Sequence, residues 1–63
     1  VSDAIRLWIE SDHYWDVSTM WARDAEINRR AGMPNAAKIC LRHHIAFREK
    51  ARALARQAKE KKP

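Results

Sequence analysis

Glycine occurs once in this 63-residue chain, cysteine once and proline twice, and each scarcity closes off a class of structure. With Cys40 as the only cysteine, no disulfide can form within the chain; such usage fits a reducing compartment, and a cytoplasmic location is the expectation. With Gly32 as the only glycine, the turns of a hairpin-built sheet are missing, and no stretch shows the period-two alternation of a strand. No apolar run approaches the roughly 20 residues that cross a bilayer, and the start lacks a basic-then-apolar leader, so no membrane span is expected. The chain opens on Val1 rather than Met, as a processed product or an excised piece of a longer protein would.

What is present is apolar enough to fold and strongly uneven in charge. Hydrophobic residues make up 46% and include three tryptophans, too many for a disordered chain, while the length allows one small core. Chains this short fold marginally on burial alone and lean on a disulfide, a metal or a partner. Residues 1–47 balance six basic against six acidic side chains, whereas residues 48–63 hold seven Lys or Arg against Glu49 and Glu60. The division is into a neutral helical body, 1–47, and a basic extension of the last helix, 48–63, frayed at its end.

Helical spacing dominates. Ser2 or Asp3 suits an N-cap, and Ala4, Ile5, Leu7, Trp8 and Ile9 follow at helical intervals to about Glu10, where Ser11-Asp12 offers a stop and a fresh cap. A second helix is expected from about Tyr14 to Ala31, ended by Gly32, with Pro34 opening a third that runs from about Asn35 to Lys59. On that third helix Ala36, Cys40, Phe47, Ala51, Leu54 and Ala58 form an apolar stripe flanked by His43 and His44, while Lys38, Arg42, Arg48, Arg52 and Arg56 hold the opposite arc. The expected fold is all-α: a small three-helix domain with an antiparallel hairpin, a short N-terminal helix closing one side, and a long basic C-terminal helix projecting beyond the body.

The run Trp21, Ala25, Gly32, Ala37, Leu41 resembles one tetratricopeptide-like repeat over about half the chain. It departs from that pattern at Asp24, Asn28 and His44, so the likeness is to helical hairpins in general and assigns no family. What it implies is a peptide- or protein-binding scaffold.

Within the second helix, Tyr14, Val17, Met20, Trp21, Ala25, Ile27 and Ala31 read as one face with Asp24 and Asn28 in its middle. A carboxylate buried there needs a partner, and His43, His44 or an arginine of the third helix is the expected one, pinning the hairpin register; a groove lined by Asp24 and Asn28 is the alternative. Trp15 falls on the other side. Either the first helix folds over it, with Trp8 beside it, or Trp8, Trp15 and the isolated Ile45 form a protein-contact surface.

Cys40, His43 and His44 stand at i, i+3 and i+4, with His13 as a conceivable fourth ligand, but no paired-ligand element accompanies them, so neither metal nor cofactor is expected. No Gly-rich phosphate loop appears, and Ser2, Ser11 and Ser18 read as caps or helix-surface residues, so no catalysis is expected. The leading expectation is a non-catalytic module for protein–protein association, with a foreign partner or with itself, whose basic helix contacts an acidic partner. The alternative is non-specific DNA or RNA binding, phosphates lying along Lys38, Arg42, Arg48, Arg52, Arg56 and Lys59.

Overall fold

Two long stretches without interior glycine or proline become two helices, α1 from Asp3 to Arg30 and α2 from Pro34 to Glu60. The computed structural model describes residues 2–61, and among them these are the only elements. The helices lie antiparallel in one rod-like hairpin with principal extents of 49 × 14 × 9 Å.

Local chemistry fixes the ends. Ser2 has an extended backbone, and its hydroxyl oxygen accepts the Ile5 amide at 3.2 Å, which satisfies one of the free N–H groups of the first turn. At the far end of α1 the Gly32 amide donates to the Arg29 carbonyl and the Met33 amide to the Asn28 carbonyl, the paired bonds of a Schellman turn. That turn needs a left-handed residue, and Gly32 supplies it at φ 75°. Pro34 then opens α2 at a position whose missing N–H costs nothing.

The expected break at Ser11-Asp12 does not occur, and the expected first and second helices are one. Ser11 is buried, and its hydroxyl donates across the hairpin to the Ala51 carbonyl at 2.9 Å instead of capping a new helix. Every residue from Ala4 to Trp15 retains a good enough helix propensity that, with no Gly or Pro, nothing else interrupts the ladder. The three-helix expectation therefore reduces to a two-helix hairpin.

The seam repeats every seven residues. On α1 it runs through Ala4, Leu7, Ser11, Tyr14, Ser18, Trp21, Ala25 and Asn28, and on α2 through Ala37, Cys40, His44, Phe47, Ala51, Leu54 and Ala58, all buried or half-buried. Small side chains alternate with large ones. The Ser11–Ala51 and Ser18–His44 bonds set the register, which brings Ala4 level with Ala58 and Ala25 level with Ala37. Between these small layers Tyr14 stacks on Phe47 with centroids 5.9 Å apart, and nearer the turn the Asn28 amide reaches Cys40 Sγ at 3.6 Å.

This seam differs from the expected faces. On α2 the fully buried alanine near the turn is Ala37, with Ala36 only half-buried. On α1 Met20 and Ile27 are 63% and 64% exposed, and Asp24 is exposed as well. A serine hydroxyl can bond a carbonyl of the facing helix only if the backbones approach closely, so small residues take alternate layers of the seam and Met20, Asp24 and Ile27 fall outside it. The basic segment is likewise no projection: Ala51 and Ala58 are buried against the N-terminal half of α1, so residues 48–58 form part of the hairpin. The expected fraying falls in part on residues 62 and 63, which lie outside the described residues.

A Cβ at Gly32 would meet no atom within 4 Å, so replacing it strains only the backbone. Gly32→Ala is expected to lower stability by about 1 kcal/mol and Gly32→Asn by less, since asparagine tolerates the left-handed region. Urea unfolding followed by circular dichroism checks the order; equal stability of all three would contradict the turn described.

Candidate functional site

Close approach along the seam decides what is left outside. Trp8 and Trp15 recur two turns apart on α1, flanking the buried positions, and remain 41% and 38% exposed. Leu41 and Ile45 occupy the corresponding side of α2 and are also exposed. The two helices present these side chains on one broad face, as the Arg52 guanidinium shows by standing 5.9 Å from the centre of the Trp15 ring across the hairpin. Because α1 is continuous, no separate first helix folds back over Trp15. Half-buried Ala22 and Ala55 leave shallow positions between the large side chains.

Arg48 lies on this face between Leu41 and Ala55 in the seven-residue repeat of α2. Its Nε is buried and has no hydrogen-bond partner within the described residues. A guanidinium nitrogen removed from water without an acceptor is costly, which marks the middle of the face as chemically incomplete. Arg52 has Glu49 on its own helix at 3.4 Å.

The other basic positions are spread along α2. Lys38, Arg42, Arg56 and Lys59 are exposed, and with Arg52 they line the side of the helix away from the seam. On the opposite edge of the hairpin Lys50 sits over the Tyr14 ring at 4.5 Å, a contact the sequence reading did not anticipate. The basic residues are therefore a ridge on α2 and do not converge on one point.

The polar residues expected to pin the hairpin do so in a different combination. His44 belongs to the seam: its Nδ1 lies 2.7 Å from Ser18 Oγ and 2.9 Å from the Ser18 carbonyl, and Ser18 Oγ lies 2.9 Å from the His44 carbonyl. All three contacts are satisfied when Nδ1 carries the ring proton, donating to Ser18 while the hydroxyl donates to the carbonyl. His43 stacks on Trp21 with centroids 4.4 Å apart. Asn28 donates to the Asp24 carbonyl within its own helix and to Cys40 across the seam. The Asp24 side chain faces solvent, so it needs none of the partners proposed for it. Among the described residues every ion pair lies within one helix.

Cys40, His43 and His44 are each engaged elsewhere, in the seam, on Trp21 and with Ser18. Among the described residues no helix is long and apolar enough to cross a membrane. Ser11 and Ser18 are the positions sequence reasoning missed. The signal was their place with Ala4 and Ala25 in a run of small residues seven apart, a period of 3.5 rather than 3.6. Comparison with protein-family models, curated proteins and solved structures finds no match to the chain.

Near the turn, Glu26 takes hydrogen bonds from Arg29 Nε at 3.0 Å and Arg30 Nε at 2.9 Å. The Arg29 bond, joined by that of Arg30 and by both charges, holds its carboxyl below the ordinary glutamate range, and the Arg29 guanidinium is raised in turn. These arginines also suit the negative end of the α1 dipole.

Two outcomes follow. Ser18→Ala and His44→Ala are each expected to destabilise the hairpin, and the double variant by less than their sum, with a coupling of about 0.5–1.5 kcal/mol. Strict additivity in urea unfolding would contradict the shared contact. Because the folded Glu26 pKa is lowered, its contribution is complete above the unfolded value and is lost as pH falls through the folded one. Glu26→Gln should flatten that acid limb, and added salt should weaken it in the parent chain.

Proposed function

We propose that this chain is a non-catalytic helical module that associates with protein through the face carrying Trp8, Trp15, Leu41 and Ile45, the basic ridge of α2 contacting acidic groups of its partner. One observation carries the reading: the accessible surface is 4906 Å² for a mass of 7.4 kDa, whereas a compact monomer of that mass exposes about 4,200 Å². The buried apolar residues are Leu7, Cys40 and four alanines, and each methyl-sized group contributes only about 0.8 kcal/mol. Many of the larger apolar side chains, among them Trp8, Trp15, Leu41 and Ile45, are outside. A partner that covers them supplies the burial the hairpin lacks.

The remaining features are consistent with this reading. Trp and Arg side by side at Trp15 and Arg52 are the residue types that dominate interface energetics. Cys40 is a free thiol held in the seam, which suits a reducing, cytoplasmic setting.

Titration with mixed-sequence DNA and RNA at two salt concentrations tests the proposal against phosphate binding. At about 150 mM salt no saturable binding is expected, because the basic side chains form a ridge without convergent contacts. Tight binding that falls steeply with salt and disappears in the combined Arg48→Ala, Arg52→Ala, Arg56→Ala variant would instead establish the nucleic-acid reading.

A further inference from the structure

We infer that the partner of the Trp8–Trp15 face is a second copy of this chain, joined by a two-fold axis parallel to the helices into an antiparallel four-helix bundle. The inference rests on the reading of that face as a protein-binding surface and names its occupant. Three observations carry it.

The first is charge. α1 holds six carboxylates against four arginines, while α2 holds seven basic side chains against two glutamates. Face-to-face association can set α1 of each copy against α2 of the other, or α2 against α2. Only the first pairs opposite charge, and the axis that produces it runs along the helices.

The second is shape. With levels unchanged by that axis, Trp8 of one copy lies across from Ala55 of the other and Leu41 across from Ala22. Large side chains thus meet small ones at both ends of a second seam, with Trp15 against Arg48 between them. The surface in excess of a compact monomer, about 700 Å², is close to the roughly 800 Å² that each partner buries in a stable interface.

The third is the unpaired Arg48 Nε. The same axis brings Asp12 of the second copy between Arg48 and Arg52, placing a carboxylate beside the guanidinium whose Nε has no partner among the described residues. Asp12 is exposed and takes part in none of the ion pairs within α1.

Sedimentation equilibrium on the full chain tests this. The parent chain is expected to be a dimer. Asp12→Arg and Arg52→Asp, separately, are each expected to raise the dissociation constant about tenfold or more, since symmetry applies every change twice. An equimolar mixture of these two variants should regain parental affinity as a heterodimer, because each mismatched pair then meets its complement only across the interface. Within either variant positions 12 and 52 carry charges of the same sign, so recovery cannot come from within a hairpin. Absence of recovery would overturn the arrangement, as would a trimer or an open series.

Trp15→Glu separates the two levels of the claim. A parental monomer whose Trp15 is open to acrylamide quenching would overturn the second copy while leaving the face available to a foreign protein. A dimer that persists undiminished in Trp15→Glu would overturn both, since association would then use another surface.

Discussion

The rest of the molecule depends on two serine hydroxyls that reach the backbone of the opposite helix. Ser11 bonds the Ala51 carbonyl and Ser18 the His44 carbonyl, each at 2.9 Å. Such bonds require adjacent backbones, and adjacent backbones require small residues in alternate layers. Ala4, Ala25, Ala37, Ala51 and Ala58 meet that requirement; Tyr14, Phe47, Leu7 and Leu54 fill the layers between. Close packing gains many weak dispersion contacts along two long helices, but it removes little apolar area from water.

The exposed surface follows from that choice. A hairpin built around its large side chains would have buried Trp8 and Trp15 and presented alanine and serine outward. Building it around its small ones does the reverse. Trp8, Trp15, Leu41 and Ile45 then form a face that neither helix covers, since α1 and α2 are already paired along their lengths. The same geometry strands Arg48 at the centre of that face. Sparse apolar burial and an uncovered apolar face are therefore two results of one packing decision, and they link the sequence period to the proposed association.

Much of the fold was legible because its signals are local. The Ser2 cap, the Gly32 turn, Pro34 at the head of α2 and the all-helical character need only a few neighbouring residues to be read. Cys40, Ala51 and Ala58 were placed in the core for the same reason, as repeating small or apolar side chains in a long helical stretch. The exposure of Trp15 stood open between two readings, and the continuity of α1 decides it. What failed depended on the facing helix. Ser11-Asp12 has the residues of a stop and a cap, but Ser11 finds a carbonyl of α2 that no local rule can foresee, and that bond turns a boundary into a helix interior. Asp24 was set in the core by counting large apolar neighbours such as Met20 and Ile27. The seam instead follows Ser18 and Ala25, which turns all three outward. His44 was recognised as a polar contact with its partner misassigned, because Ser18 read as surface.

The central claim is that α1 turns Ser11 and Ser18, not Trp8 and Trp15, toward α2. Proton cross-relaxation in a chain selectively labelled at serine and alanine tests it most directly. The account predicts strong cross-peaks from the Ser11 β-protons to Ala51 and slow exchange of the Ser11 and Ser18 hydroxyl protons with water. Serine β-protons with no cross-peak to α2 and rapidly exchanging hydroxyls would contradict it, since α1 would then present another face to the seam.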